Sequence, residues 1–123
     1  MNEPQRFVIL THDHPVLHWD FMLDTGEVLR TWRLEKEPVM EAEIRAICLP
    51  DHRRMYLDYE GPVSGDRGTV ARWDGGTYAL LEETLTRLRF RVDGHRTQGI
   101  VEIVRSNLSD EWMFVLHGAA SLS

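Results

Sequence analysis

Short β-type runs separated by turn residues recur along most of this 123-residue chain. Turn-forming clusters rich in glycine, aspartate or asparagine occur at residues 74–76, 93–94 and 107–110. The segments between them predict five strands, at residues 69–73, 77–81, 88–92, 100–105 and 112–116. Almost no stretch sustains a helical period, so the pattern predicts a mainly β fold. We expect a small closed or partly open β-barrel with one or two short helical turns, because closure removes exposed strand edges.

The first half of the chain predicts the remaining strands. Residues 6–11 are β-branched and apolar, and residues 17–23 and 28–34 alternate around a hairpin turn at 24–27. Residues 39–49 are ambiguous between helix and strand, and we expect a loop followed by a strand from about Ile44. A helical turn is predicted at 51–56, capped by Asp51, which would set His52 beside Tyr56.

Length and composition limit the classes of protein to be considered. A chain of 123 residues predicts one domain spanning residues 1–123, which we expect to be monomeric. The net charge of −6 counts against a broad electrostatic grip on duplex DNA but allows a small phosphate pocket. No apolar run is long enough to span a membrane and no signal peptide is recognised, so we expect a cytoplasmic protein. Cys48 lies in an apolar segment, which favours an inert core thiol.

The chemistry of the chain is concentrated in residues 12–20, which contain three of the six histidines. The two-residue period of a strand would place His18, Asp20 and Met22 on one face and the apolar residues of 17–23 on the other. His12 ends the preceding strand, and the turn at His14-Pro15 would bring it back toward His18. Two imidazoles and one carboxylate suit a divalent transition metal and leave positions open for a substrate.

Spaced matches in the same order give the chain a resemblance to a known family. They are His12-Asp13, 17–20, 28–32, Asp51-His52 with Tyr56, Asp58, Glu60 and Gly61, then 68–70, 73–74 and 76–77. In these residues the chain resembles the 3′-phosphoesterase domain of bacterial DNA ligase D. The resemblance implies a compact β-barrel and a manganese-dependent enzyme that removes a 3′-terminal ribonucleotide or 3′-phosphate from a primer strand.

The resemblance also implies roles for individual residues. It identifies His12, His18 and Asp20 as the metal ligands, with Mn²⁺ expected and Zn²⁺ or another transition metal as the alternative. His52 and Tyr56 match residues needed for the phosphoesterase reaction. The basic residues expected near the phosphate are Lys36, which matches a basic family position, and Arg53 and Arg54 beside His52. The implied partners are nucleic-acid 3′ ends, with a separate DNA ligase or polymerase as a further candidate. We expect the metal site at one mouth of the barrel.

Two departures from the family pattern affect phosphate binding. Met22 stands where the family has an arginine that grips phosphate, and Pro50 stands where the family has a glutamate. A thioether cannot replace a bidentate guanidinium. The candidates to supply the missing charge are Arg53 and Arg54, which adjoin His52, or Arg33 and Arg72 on neighbouring strands.

Two other functions remain open on the sequence. His18-x-Asp20 also fits the first two ligands of a non-haem iron oxygenase, with His52, His95 or His117 as the third, although the chain is short for that jelly roll. The other alternative is a non-catalytic module that recognises a nucleic-acid end or a protein through an eroded site. Met22 and the acidic net charge favour this second alternative.

Overall fold

Nine strands form one sheet in the computed structural model, which describes residues 4–107 and 109–118. The strands are β1 (Gln5–His12), β2 (His18–Asp24), β3 (Leu29–Leu34), β4 (Ile44–His52), β5 (Gly61–Pro62), β6 (Thr69–Glu83), β7 (Arg87–Gly94), β8 (Gln98–Arg105) and β9 (Glu111–Gly118). Within the described ranges, the single helical element is a 3-10 turn at Arg54–Leu57. The prediction of a mainly β fold with a short helical turn is therefore confirmed.

The sheet closes on itself through hydrogen bonds between neighbouring strands. Its order is β1-β2-β3-β4-β9-β8-β7-β6, and β6 pairs back with β1, so eight strands form a ring. All of these pairs are antiparallel, and the short β5 adds to one end of β6. Register shifts interrupt the ladders of β1, β3 and β6. The ring is closed, as predicted, but it is not a regular barrel.

Two apolar layers lie on opposite faces of the first strands. The inner layer fills the ring and includes Phe7, Phe21 and Trp32, which are at most 1% exposed. The alternate residues of β1, β2, β3 and β6 form an outer layer with Leu57: Val8, Leu10, Met22, Leu29 and Val70. Tyr56, Tyr59 and Val63 pack against this outer layer. The segment 53–68, which we call the roof, therefore covers the outer face of the ring.

The predicted turn at residues 74–76 does not exist, because this segment lies inside the 15-residue strand β6. A Cβ atom on Gly76 would lie 2.0 Å from the carbonyl oxygen of Asp93. Glycine is needed there for the close approach of β6 to β7. The ladder with β1 passes from Asp74 directly to Arg72, which leaves Trp73 as the extra residue of a bulge.

The predicted helical turn is shorter than expected and its cap is wrong. Asp51 and His52 continue β4, where His52 pairs with Leu29 of β3. The residue at the N-cap of the 3-10 turn is Arg53, and no side chain caps the turn. Asp51 and His52, which the spacing predicted to be helical, are therefore part of the strand β4.

Two further expectations concern Cys48 and the membrane. Cys48 is half-buried and packs against the inner layer. Burial raises the pKa of its thiol, which keeps the sulfur protonated at neutral pH. None of the helical structure in the described residues is long or apolar enough to cross a bilayer.

Asp74 ties the turn between β7 and β8 to β6. Its carboxylate accepts hydrogen bonds from the backbone N–H groups of His95, Arg96 and Thr97 and from the Thr97 hydroxyl. Burial raises the pKa of Asp74, but the hydrogen bonds from Thr97 and the backbone outweigh it, so the pKa lies below its ordinary value. Ionised Asp74 is thus a structural acceptor for this turn.

We expect Asp74→Asn to lower the free energy of unfolding at pH 7 by about 1–3 kcal/mol, because the NH₂ group of the amide cannot accept the hydrogen bonds that the buried Thr97 donates to Oδ2. A carboxyl with a lowered pKa stabilises the fold above its unfolded pKa and loses this effect as the pH falls through its folded pKa. The difference from wild type should therefore shrink below about pH 4. Denaturant unfolding at pH 7 and pH 3 measures both values. The exposed Asp93→Asn is the control, and equal stability of Asp74→Asn and wild type at pH 7 would contradict the assignment.

Candidate functional site

The three predicted metal ligands lie together where β1 and β2 meet. His12 and His18 are cross-strand partners, and their ring centroids are 4.9 Å apart. Asp20 Oδ2 lies 3.6 Å from His12 Nδ1, and Asp20 Oδ1 lies 3.2 Å from His18 Nε2. The three side chains offer ligand atoms that all lie within 4.8 Å of one another. His18 and Asp20 are buried, and His12 is partly exposed.

Backbone carbonyls determine which nitrogen of each ring carries the proton. His12 Nε2 lies 2.7 Å from the carbonyl oxygen of Arg67, and His18 Nδ1 lies 2.8 Å from that of Val16. A carbonyl oxygen only accepts, so both of these nitrogens must donate. In a neutral ring, the other nitrogen then directs a lone pair toward Asp20. This is how histidine ligands of metals are usually oriented.

The buried atoms at the centre of the cluster have no hydrogen-bond donor. His18 Nε2 and Asp20 Oδ1 are both buried and make no hydrogen bond within the described part of the chain. Two lone pairs and a carboxylate that face one another repel, and buried acceptors without a donor are costly. A divalent cation satisfies all three groups at once. The donor set therefore fits a metal ion, with coordination positions left for a substrate.

The roof positions His12 through the carbonyl of Arg67. Gly68 has φ +78°, and a Cβ atom there would lie 2.2 Å from Asp13 Oδ1. The same carboxylate oxygen accepts the backbone N–H of Thr69 at 2.8 Å. Asp13 and Gly68 thus hold the end of the roof against the residues that follow β1. The contact of this segment with His12 has no signal in the sequence pattern and was not predicted.

A cleft of about 590 Å³ lies beside the cluster, between the outer face of the ring and the roof. His12, Asp20, His52 and Tyr56 all line this cleft. The expectation of a site at one mouth of the barrel is therefore wrong, because the roof forms the site on the outside of the ring. The ring centroids of His52 and Tyr56 are 6.1 Å apart in an edge-to-face arrangement.

His52 and Tyr56 each present a free polar atom. His52 Nδ1 donates to the carbonyl oxygen of Pro50 at 2.9 Å, which leaves Nε2 without a partner in the described residues. The Tyr56 hydroxyl likewise makes no hydrogen bond there, and its ring packs edge-to-face on Tyr59 at 5.8 Å. Pro50 thus orients His52 through its backbone carbonyl.

The basic residues named from the sequence do not all reach the cleft. Arg53 lines it, but Lys36 and Arg54 are not among its lining residues. Arg54 donates to both carboxylate oxygens of Asp24, at 2.8 and 2.9 Å, and this pair lowers the pKa of Asp24. The phosphate-binding roles of Lys36, Arg53 and Arg54 stay predictions.

Arg33 and Arg72, the other two candidates to supply the charge that Met22 lacks, also differ in whether they reach the cleft. Arg33 lines the cleft. Arg72 instead donates to the carbonyl oxygen of Leu57 at 2.6 Å and lies 3.7 Å from Asp58. Met22 lines the cleft with its thioether and belongs to the outer apolar layer.

The remaining histidines are not part of the metal cluster. Among the described residues, the only group that could hold a metal ion consists of His12, His18 and Asp20. His14 lines the cleft, and His117 pairs with Glu41 at 3.0 Å. The third ligand that the oxygenase alternative would take from His52, His95 or His117 is therefore not found.

Comparison with known proteins gives matches to one family over most of the chain. Residues 10–118 match the family described as the DNA Ligase D 3′-phosphoesterase domain. The chain is 28% identical over 123 residues to the multifunctional non-homologous end joining protein LigD of Pseudomonas aeruginosa, and the match covers 89% of the chain. It is 31% identical over 120 residues to the LigD proteins of Mycobacterium tuberculosis and Mycobacterium bovis, covering 87% of the chain. The matches span 15% of the length of each relative.

Asp20→Asn should affect the stability of the metal-free protein and its stabilisation by Mn²⁺ differently. An amide N–H can donate to a histidine lone pair, so in EDTA we expect the variant to melt no lower than the wild type. With Mn²⁺ at 100 times its Kd, wild type should gain about 2.7 kcal/mol of stability, and the variant should gain almost none. Calorimetric melting curves measure both effects. The exposed His95→Ala should respond to Mn²⁺ like wild type, and an undiminished response of Asp20→Asn would contradict this ligand set.

Proposed function

The chain belongs to the DNA ligase D 3′-phosphoesterase domain family, and we propose that it is a divalent-metal-dependent phosphoesterase acting on the 3′ ends of nucleic acid. The proposed reaction removes a 3′-terminal ribonucleotide or a 3′-phosphate in the repair of DNA ends. The observation that carries the proposal is the convergence of His12, His18 and Asp20, with buried atoms of His18 and Asp20 that lack a hydrogen-bond donor. His12 and Asp20 line the same cleft as His52 and Tyr56.

His12, His18 and Asp20 would hold the metal ion. We propose Mn²⁺, because one carboxylate beside two imidazoles suits an ion harder than those bound by thiolates, and Zn²⁺ is the alternative. A bound ion supplies positive charge that polarises a phosphate oxygen and offsets charge in the transition state. The protein keeps the ligands in place through the carbonyls of Val16 and Arg67.

His52 and Tyr56 would act on the same phosphate from another wall of the cleft. His52 keeps Nδ1 on the carbonyl of Pro50, so Nε2 is the nitrogen that can donate a proton or a hydrogen bond to a phosphate oxygen. The free Tyr56 hydroxyl can donate a second hydrogen bond. The edge-to-face packing of both rings limits their motion.

The charge of the chain favours a short contact with the end of a strand. The protein carries a net charge of −6, but Arg33, Arg53 and Arg67 all line the cleft. A small pocket that contains three arginines on an acidic protein suits one terminal phosphate better than a long duplex. The relatives are named for non-homologous end joining, and we propose that this chain prepares ends for a separate ligase or polymerase.

One alternative has an observation in its favour. Met22 lines the cleft where a charged side chain would bind phosphate, which supports a module that binds strand ends without turnover. Family membership and the three converging ligands favour catalysis. The iron oxygenase has no such support, because the family matched is a phosphoesterase family.

The proposal predicts Mn²⁺-dependent release of product from a primer-template that ends in a 3′-phosphate or a 3′-ribonucleotide. We expect Asp20→Asn to lower kcat/KM by roughly 1000-fold, since several kcal/mol of charge stabilisation would be lost. His52→Ala should lower it by about 100-fold or more through loss of an acid or hydrogen-bond donor. Quenched-flow or gel assays of labelled primers measure both.

His95→Ala is the matched control, because His95 is exposed and does not line the cleft. Release that persists in EDTA or in Asp20→Asn would contradict metal-dependent catalysis. Tight binding of the primer end without any release would instead support the non-catalytic module.

A further inference from the structure

Arg33 is fixed by strand pairing directly opposite Asp20. It pairs with Asp20 of β2 on one side and with Ile47 of β4 on the other. Its chain neighbours Trp32 and Leu34 belong to the inner apolar layer, so Arg33 points to the outer face, where it lines the cleft. Its guanidinium and the carboxylate of Asp20 therefore border the same volume.

The guanidinium of Arg33 has no partner in the described part of the chain. The residue is half-buried, and its Nε is buried without a hydrogen-bond acceptor. It makes no ion pair with Asp20, although directly opposed residues have Cβ atoms only about 5 Å apart. A cation that loses solvation without gaining an acceptor costs free energy. An anion in the cleft would supply the missing acceptor.

Other arginines near the site are already engaged. Arg54 is held by Asp24 and Arg72 by the carbonyl of Leu57, while Arg67 donates to the carbonyl and hydroxyl oxygens of Ser64. Arg53 is also available, but it is exposed and precedes the 3-10 turn. Arg33 is thus the available guanidinium whose direction the sheet itself sets.

We propose that Arg33 binds the terminal phosphate and makes the cleft selective for strands that end in a 3′-phosphate monoester over strands that end in a 3′-hydroxyl. This inference rests on the proposed function, since the metal ligands and Arg33 would hold the same phosphate. The two terminal nitrogens of the planar guanidinium, which are not buried with Nε, offer N–H groups as parallel donors to two phosphate oxygens. A terminal monoester presents three such oxygens and a second negative charge, whereas a 3′-hydroxyl presents neither.

The test compares the affinities of two primer-templates that differ only in a 3′-phosphate or a 3′-hydroxyl. Fluorescence anisotropy in EDTA measures binding without turnover. We expect wild type to prefer the 3′-phosphate, and Arg33→Met to reduce that preference by about 10- to 100-fold, the factor for loss of charge-assisted hydrogen bonds. Arg33→Lys should retain part of the preference, because it keeps the charge but not the paired donors. Arg91→Met, at an exposed position of β7 outside the cleft lining, should match wild type.

A second measurement uses the wild-type protein, so it does not depend on the folding of a variant. The ¹⁵N resonance of Arg33 Nε–H should shift when a deoxynucleoside 3′-monophosphate is added and stay in place with the 3′-hydroxyl nucleoside. No shift, no preference in wild type, or an equal preference in wild type and Arg33→Met would overturn the inference. Loss of the preference in Arg53→Met alone would assign the phosphate to Arg53 and would also overturn it.

The two proposals can fail separately. If wild type releases product and Arg33→Met prefers the 3′-phosphate as strongly as wild type does, the proposed phosphoesterase activity stands. Arg33 is then not part of the phosphate site. An Arg33-dependent preference in a protein that never releases product would support the phosphate site and end the proposal of catalysis.

Discussion

The site depends on a set of acceptors held together without a donor. Two backbone carbonyls accept hydrogen bonds from the ring N–H groups of His12 and His18, so the remaining ring nitrogens and Asp20 face one another as acceptors. This arrangement is unfavourable by itself, because buried acceptors repel and have lost their water. The rest of the fold must keep it from relaxing. Strand pairing of His12 with His18 fixes one side, and the roof fixes the other through Arg67.

Closure of the ring explains why the site can lie outside it. The inner layer already fills the ring, so polar groups cannot enter there without displacing Phe21 or its neighbours. The outer faces of β1, β2 and β3 form a second apolar layer that is covered by the roof and includes Met22 and Leu57. Where this outer layer ends, His12 and Asp20 border the cleft. One covering segment therefore both buries apolar surface and shapes the site.

The sequence predicted the parts of this structure that depend on local pattern. The alternation around His18 and Asp20 predicted a strand with its ligands on one face, and the pairing with His12 followed from the preceding strand. It failed where distant contacts override local preference: Gly76 looked like a turn but permits close packing of two strands, and Asp51 looked like a cap but continues β4. The sequence of the roof has no hydrophobic periodicity. Its packing over the ring and its hydrogen bond to His12 therefore had no local sequence signal. The tautomer of His12 is set by the carbonyl of Arg67, which only the fold brings near.

The arginines near the site show the same limit of prediction from local sequence. Their partners also connect the roles of Met22 and Arg33. The sequence made four arginines equal candidates to supply the positive charge that Met22 lacks. Only their hydrogen-bond and ion-pair partners in the structure distinguish them. Met22 is 1% exposed among the apolar side chains that hold the roof, where a guanidinium would have to leave the outer layer or be buried without an acceptor. Arg33 stands across the strand pair from Asp20, at the border of the cleft, and reaches it without disturbing that layer. An apolar residue at 22 and an arginine at 33 are thus compatible parts of one arrangement, in which Met22 packs under the roof and Arg33 of β3 is the residue that we propose binds the phosphate.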